Sequence, residues 1–208
     1  MKPSKGEVLL TRLYTYALNG IPKVSEPLDT LVNSYLYKSS NPEEAIDDFI
    51  RTQKLKCATT GFMTGLGGLM TLPVTLPADM VSSLFIEMRL IAGIAMMRGY
   101  NLNDDKVKTT VYLCLVYNSI GDIVKKVGIE IVENITIKKL LPKLSREILK
   151  AINHQVGFKM IAKGGVKAPI KVGKMVPVIG GLIGAGWNWL EVSAYAGYAK
   201  KMFVIKPI

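Results

Sequence analysis

The C-terminal third of the sequence contains the apolar, uncharged stretch Val176-Pro-Val-Ile-Gly-Gly-Leu-Ile-Gly-Ala-Gly-Trp-Asn-Trp-Leu190. Glycine weakens an isolated helix, and a helix that keeps Gly180 and Gly184 four residues apart presents a strip of bare backbone. Such a strip is useful where another element packs very closely against it. The stretch from Gly61 to Pro73 has the same character. We therefore predict two Gly-rich apolar helical hairpin elements that pack centrally in the fold.

These two elements are expected to cross each other at their glycines. The predicted helix-crossing glycines are Gly61, Gly65, Gly68, Gly180, Gly181 and Gly184. The uncharged run from Cys57 to Ala78 is also long enough, at about 1.5 Å per residue, to cross a hydrocarbon core of about 30 Å. Because Pro73 and Pro77 interrupt its far end, a buried hairpin is favoured over a shallow insertion or a true span.

Apolar residues recur at helical spacing along most of the chain, and the alternation typical of a strand is not sustained. The predicted fold class is all-α, a compact multi-helix domain. Helix punctuation agrees, with a capping Asn41 before Pro42, a stop at Gly99 and a start near Asp104. The predicted helices span residues 6–18, 26–37, 42–56, 58–71, 77–98, 104–126, 129–141, 144–163 and 176–203.

Charge is distributed unevenly, which the net charge of +11 conceals. Residues 105–208 contain seventeen Lys and Arg against six Asp and Glu, whereas the first half is neutral. Between Asn134 and Met175, ten basic residues accompany only Glu147. A field of this kind attracts polyanions.

A ladder of lysines lies in this basic region, with one lysine every four residues from Lys159 to Lys171. On a continuous helix the ladder forms one basic stripe, which is either a solvated face or a site for anionic lipid headgroups or nucleic acid. Lipid is favoured over nucleic acid because the stripe leads into an apolar helix with two tryptophans, and Trp beside cations favours the membrane interface. The candidate lipid- or anion-binding residues are Lys159, Lys163, Lys167, Lys171, Lys174, Trp187 and Trp189.

Signals for enzymatic chemistry are few. The chain has one histidine, His154, and its two cysteines, Cys57 and Cys114, sit in apolar runs typical of small buried hydrophobes. A phosphate loop, a GxSxG elbow and a CxxC pair are absent from the sequence. We expect no metal, no cofactor and no catalytic residue. A possible polar site, for which a core-edge salt bridge is the favoured interpretation and a hydrolase site the lesser one, comprises Asp79, Glu87, Arg89 and His154.

Eight short motifs follow one another along the chain. They are Gly65-Leu-Gly-Gly-Leu-Met-Thr-Leu-Pro73, Pro77-Ala-Asp79, Met88-Arg-Leu-Ile-Ala92, Gly99-Tyr100, Asp105-Lys-Val-Lys-Thr109, Ile152-Asn-His-Gln-Val-Gly-Phe158, Lys163-Gly-Gly165 and Val176-Pro-Val-Ile-Gly-Gly181. In this order they resemble the EcsC family, and the resemblance spans roughly residues 50–205. The chain departs from the family at Asn101, where the family often has Asp, and at Asn188, near which the family often has an acidic residue.

The resemblance implies a bacterial, all-helical, intracellular protein that works at or near the membrane. The family is named for a gene beside an ABC transporter involved in secretion, and it supplies no catalytic residue. We divide the chain into an N-terminal helical extension, 1–50, that packs on the core and an EcsC-like helical domain, 51–208.

Together these observations predict a non-enzymatic membrane-surface or lipid-binding protein in the cytoplasm, peripherally associated with the membrane. Its expected partner is anionic membrane lipid, bound by the basic C-terminal half while the Gly-rich helices hold acyl chains or insert shallowly. Nucleic acid is a less favoured partner. The alternative is a protein-interaction accessory of a membrane or secretion system, or a pore-forming effector whose Gly-rich helices form a homo-oligomer.

Overall fold

The computed structural model of the chain describes residues 2–58, 78–130, 136–165 and 192–205, of which 56–58, 78–79 and 163–165 are described by their backbone only. Within these ranges the regular structure is helical, and strand-type pairing is limited to one bridge between Ile21 and Ser25. The predicted all-α fold is therefore confirmed.

The helices of the described ranges are numbered in chain order. They are α1 (Lys5–Asn19), α2 (Leu28–Lys38), α3 (Pro42–Ala58), α4 (Ala78–Met97), α5 (Asp105–Cys114), α6 (Ile120–Lys126), α7 (Ile137–Leu140), α8 (Arg146–Gly165) and α9 (192–202). Short 3-10 turns follow α5 at Tyr117–Ser119 and α7 at Leu141–Lys143.

The predicted helix 104–126 is wrong as one continuous element. After Cys114 the backbone bonds back three residues, with the amide of Val116 donating to Leu113 at 3.1 Å and that of Ser119 to Val116 at 2.7 Å. Asn and Ser offer the backbone side-chain partners that compete with a helix, which favours a break here. Of the predicted helix 129–141, α7 is seen, Ile129 and Glu130 are not helical, and residues 131–135 lie outside the described residues. Residues 59–71 of the predicted helix 58–71 and residues 176–191 of the last one also lie outside them, and Ala58 belongs to α3.

The predicted helix signals at Asn41, Gly99 and Asp104 are confirmed. The side chain of Asn41 accepts from the amide of Glu43 at 2.9 Å, and that of Asp104 accepts from the amide of Lys106 at 2.7 Å. Gly99 has a φ of 79°, and the amide of Tyr100 bonds to the carbonyl of Ala95 at 3.0 Å. This is the Schellman arrangement, in which a left-handed glycine ends the helix.

Helix α4 is the centre of the described core, where it packs against α1, α2, α3 and α5. Its segment Met80–Met97 is long and apolar enough to cross a membrane, but 83% of that segment is buried inside the protein. A helix that is apolar on all sides is also what the core of a folded domain requires. The two Gly-rich elements that we predicted at the centre lie outside the described residues.

Helices α1 and α8 cross with their backbones in contact at Gly6 and Gly157. A Cβ atom added to Gly157 would lie 2.7 Å from the carbonyl carbon of Gly6 and 2.9 Å from the amide nitrogen of Glu7. Real Cβ atoms do not approach backbone atoms so closely, so only glycine fits at this crossing. The close approach lets α8 bury one face, including Ile152, Val156 and Met160, against α1 and α5.

A cluster of ionic contacts, the Arg98 clasp, fixes α9 to α3 and to the end of α4. The Arg98 guanidinium donates to both carboxylate oxygens of Glu43 at 2.7 and 2.8 Å, and to the carbonyls of Lys200 and Phe203. The Nζ of Lys200 in turn lies 3.2 Å from Glu43 and 2.8 Å from Asp47. Because the Arg98 side chain is only 8% exposed, its charge depends on these partners.

The glycine crossing predicts opposite effects for one substitution at two mid-helix positions. Gly157→Ala places a Cβ against backbone atoms and should lower the free energy of unfolding by about 1 to 3 kcal/mol. Gly197→Ala on α9 meets no atom within 4 Å, so it should be neutral or stabilising by up to about 1 kcal/mol. Urea unfolding of the two variants measures both values. Equal effects at the two sites would show that α1 and α8 do not cross closely.

The Arg98 clasp predicts a large cost for removing one guanidinium and a small cost for another. Arg98→Met leaves two carbonyls without their donor and Glu43 with Lys200 as its remaining cation, so it should destabilise the protein by about 2 to 4 kcal/mol. Arg51→Met is the matched control, since its side chain is 77% exposed and its contact to Asp48 is 3.8 Å long. We expect the free energy of unfolding of this control to lie within about 0.5 kcal/mol of that of wild type. Thermal or urea unfolding that ranks the two variants equally would contradict the clasp.

Candidate functional site

The solvent face of α8 presents a row of residues at four-residue spacing. The exposed members of this row are Arg146, Lys150, His154, Phe158 and Ala162. Residues four apart are neighbours on a helix, so they form one strip that drifts about 40° around the axis at each step. Phe158 is 66% exposed within it, two steps after Lys150. We call this strip the α8 row.

Further basic residues precede the row along the chain. Lys138, Lys139 and Lys143 are exposed on α7 and the turn after it. Nearby Glu147 is also exposed, and its own backbone amide and then the Ser145 hydroxyl lower the pKa of its carboxyl. Exposed charges act weakly one by one, but a surface of one predominant sign raises the local concentration of anions.

Of the predicted lysine ladder, the structure describes one side chain, that of Lys159. Lys159 is half-buried, because it follows Phe158 by one residue and turns away from the α8 row. The side chain of Lys163 lies outside the described residues. The remaining predicted lipid-binding residues and helix-crossing glycines also lie outside them: Lys167, Lys171, Lys174, Trp187, Trp189, Gly61, Gly65, Gly68, Gly180, Gly181 and Gly184.

Lys159 lines a cleft of about 270 Å³ between α8, α9 and the turn that follows α5. We call it the tyrosine cleft, because the ring of Tyr117 meets those of Tyr195 and Tyr198 at centroid distances of 5.2 and 5.9 Å. Its described lining residues are Leu115, Val116, Tyr117, Asn118, Ser119, Lys159, Met160, Ala162 and Tyr195.

The groups behind this cleft are chemically inert at neutral pH. Cys114 is fully buried, and its burial raises the pKa of the thiol, which therefore stays protonated. Burial likewise raises the pKa of Tyr198 to about 12. Both groups therefore stay protonated at neutral pH.

The predicted polar site is divided by the structure. Arg89 is 3% exposed, and its Nη1 donates to the carbonyl of Ala17 at 2.9 Å. Burial lowers the pKa of Arg89 to about 10, while the charge of Glu26 raises it. The guanidinium thus stays charged and caps the C-terminal turn of α1, where a cation is favourable.

Of the other three predicted polar residues, the structure describes the side chains of Glu87 and His154. Glu87 is 4% exposed. Because it precedes Arg89 by two residues, its side chain leaves α4 about 200° around the helix axis from that of Arg89. His154 is exposed on α8, which packs on α1, α5 and α6, whereas the side chain of Asp79 lies outside the described residues. Over the described part of the chain, no three His, Cys, Asp or Glu side chains are grouped as metal ligands would be.

Asn101 belongs to a second cleft, of about 410 Å³, at the ends of α1 and α4. Its side-chain oxygen accepts from the amide of Asn103 at 3.0 Å, which forms a local turn. Asp makes the same turn as Asn. The exchange of Asp for Asn101 therefore preserves the backbone geometry at this point.

The family match covers most of the chain. A model described as the EcsC protein family matches residues 40–205. The chain belongs to the EcsC family. No curated protein and no solved structure matches the sequence.

The bounds of this EcsC match correspond to the Arg98 clasp. The match begins two residues before α3 and ends three residues after α9, and the clasp joins these two helices through Glu43 and Lys200. Helices α1 and α2 precede the match, but Leu9, Leu10 and Leu13 of α1 are fully buried in the shared core.

Three features of this EcsC protein were missed by the sequence reasoning. The spacing of Arg146, Lys150 and His154 was visible in the sequence, but these residues were not considered as one strip. Gly157 was noted only as part of a family motif, and its partner Gly6 lies about 150 residues away. Arg98 gave no signal, since nothing local indicates that it would meet Glu43.

Proposed function

We propose that this EcsC protein is a peripheral membrane-surface protein that binds anionic lipid through the α8 row and its neighbouring lysines. The observation that supports the proposal best is the 66% exposure of Phe158 in the same strip as Arg146 and Lys150. An exposed aromatic side chain on a helix that also carries exposed cations is a combination that favours the headgroup region of a bilayer.

The apolar part of this binding is supplied by Phe158. Moving an exposed Phe side chain into an apolar environment is favourable by about 1.5 to 3 kcal/mol. Since α8 lies along the surface with its other face buried on α1, the proposal places the helix parallel to the bilayer. In this arrangement helix α4 stays in the core of the protein and does not need to cross the bilayer.

The electrostatic part comes from exposed cations that precede Phe158 on α8 and on α7 with the turn after it. A Lys or Arg near an anionic surface contributes about 1 kcal/mol. The residues placed to do so are Lys138, Lys139, Lys143, Arg146 and Lys150. Together they outweigh the one acidic residue of this segment, Glu147.

Charge reversal on the α8 row tests the electrostatic part. The double variant Arg146→Glu and Lys150→Glu should bind vesicles containing phosphatidylserine more weakly by about tenfold or more. The matched control is Lys38→Glu with Arg51→Glu, an equal charge change at exposed sites on α2 and α3. Flotation of each protein with anionic and with neutral vesicles at low salt measures the difference.

Three outcomes would contradict the charge-mediated part of the proposal. One is equal flotation of wild type with anionic and neutral vesicles, after which the protein-interaction interpretation takes first place. The second is equal loss in the control variant, which would indicate net charge rather than this surface. The third is tighter binding to a duplex oligonucleotide than to anionic vesicles at the same salt, which would favour nucleic acid.

Phe158→Ser tests the apolar part. The Debye length shortens from about 10 Å at 0.1 M salt to about 3 Å at 1 M, so binding that persists at high salt reports insertion. Phe158→Ser should remove this persistent fraction without lowering the melting temperature, because the side chain is exposed. Tyr37→Ser is the control, since Tyr37 is 94% exposed on α2. If high salt releases wild type from the vesicles as completely as it releases Phe158→Ser, the binding is headgroup attraction alone.

A further inference from the structure

The tyrosine cleft opens directly onto the α8 row. Ala162 is exposed four residues after Phe158, so it belongs to the row, and it also lines the cleft. Asn118, which is exposed as well, lies at the mouth from the other side. A molecule held by the α8 row therefore has a short path into the cleft.

The lining of the cleft changes from apolar to polar toward this mouth. Its floor is formed by buried side chains, among them Leu115, Val116 and Met160. Half-buried Lys159 and Ser119 and exposed Asn118 and Ala162 also line it. An apolar floor with polar groups at the rim matches a ligand that has an apolar tail and a polar head.

The charge of the cleft determines whether the head group that it binds is anionic or cationic. Lys159 is the cation among the described lining residues, and none of those residues is acidic. The flexible stem of a lysine lies along apolar surface while its ammonium reaches toward water. The head that suits this position is a carboxylate or a phosphate, with the amide of Asn118 and the hydroxyl of Ser119 as additional donors.

The size of the cleft limits the tail. At about 270 Å³ it lies just below the range of about 300 to 1,000 Å³ that is typical of drug-sized ligands. A short single chain fits such a volume, whereas the two long chains of a phospholipid do not.

We propose that the tyrosine cleft binds one single-chain anionic amphiphile, of the fatty-acid or lysophospholipid class, with its tail on Leu115 and Met160 and its head at Lys159. This inference rests on the proposed function, because the α8 row would bring such a molecule from the bilayer. The cleft would hold one molecule per protein chain, whereas the α8 row would contact many headgroups at once.

Titration calorimetry with defined probes tests the site without any vesicle. Decanoate, kept below its micelle concentration, should bind wild type saturably at one molecule per chain. Decyltrimethylammonium has the same tail with a cationic head and should bind at least tenfold more weakly. Acetate and inorganic phosphate have the anion without the tail and should give no saturable binding.

Two variants localise the binding to the cleft. Lys159→Met keeps the aliphatic stem and removes the charge, so decanoate affinity should fall by about tenfold, which corresponds to about 1.4 kcal/mol. Lys38→Met is the matched control, since Lys38 is exposed on α2 and does not line the cleft, and it should bind decanoate as wild type does. Ala162→Trp fills the mouth and should abolish saturable decanoate binding, with its melting curve as the check on folding.

The two proposals can fail independently. Unchanged decanoate affinity in Lys159→Met, or equal affinity of wild type for the anionic and cationic probes, overturns the cleft proposal whatever the vesicles do. Saturable binding of phosphate alone would make the ligand a free anion and also overturn it. Decanoate binding together with flotation that is equally poor on anionic and neutral vesicles would keep the cleft and remove the membrane surface.

Discussion

The contact of backbones at Gly6 and Gly157 is the constraint on which the arrangement of α8 depends. Because neither residue has a side chain, α8 lies against α1 at a distance that any Cβ would prevent. This contact fixes the rotation of α8 about its axis. With Met160 held in the core, Phe158 stands in solvent and Lys159, one residue further, turns into the tyrosine cleft. Surface and cleft are thus two consequences of one helix orientation.

The Arg98 clasp holds α9, which forms a second wall of the tyrosine cleft. Its guanidinium binds the carbonyls at the C-terminal end of α9, where the partial negative charge of a helix is concentrated, and it binds Glu43 on α3 at the same time. The clasp holds α9 in place, and α9 contributes Tyr195 to the cleft. Since the family match runs from just before α3 to just after α9, the clasp joins the first and the last described helix of the matched region.

Helix α4 and Phe158 are opposite cases of where apolar side chains lie in the described part of the molecule. Helix α4 meets the length and composition of a membrane span, yet it is the core around which the other helices pack. Phe158 is a large apolar side chain in water on a helix that also carries exposed cations. Buried apolar residues stabilise the fold, whereas an exposed one beside positive charge is available to a partner that offers both an apolar interior and anionic heads.

The sequence alone determined the helical fold class, most helix bounds and the caps at Asn41, Gly99 and Asp104, because periodicity and capping act within a few residues of chain. The family followed from short motifs in order. Tertiary structure alone decided which lysines face solvent, that Arg89 caps α1, and that Gly6 meets Gly157. These outcomes depend on contacts between residues far apart in the chain, and a helix can be rotated about its axis without any change in its local pattern. Packing sets that rotation, and with it the face that each side chain occupies.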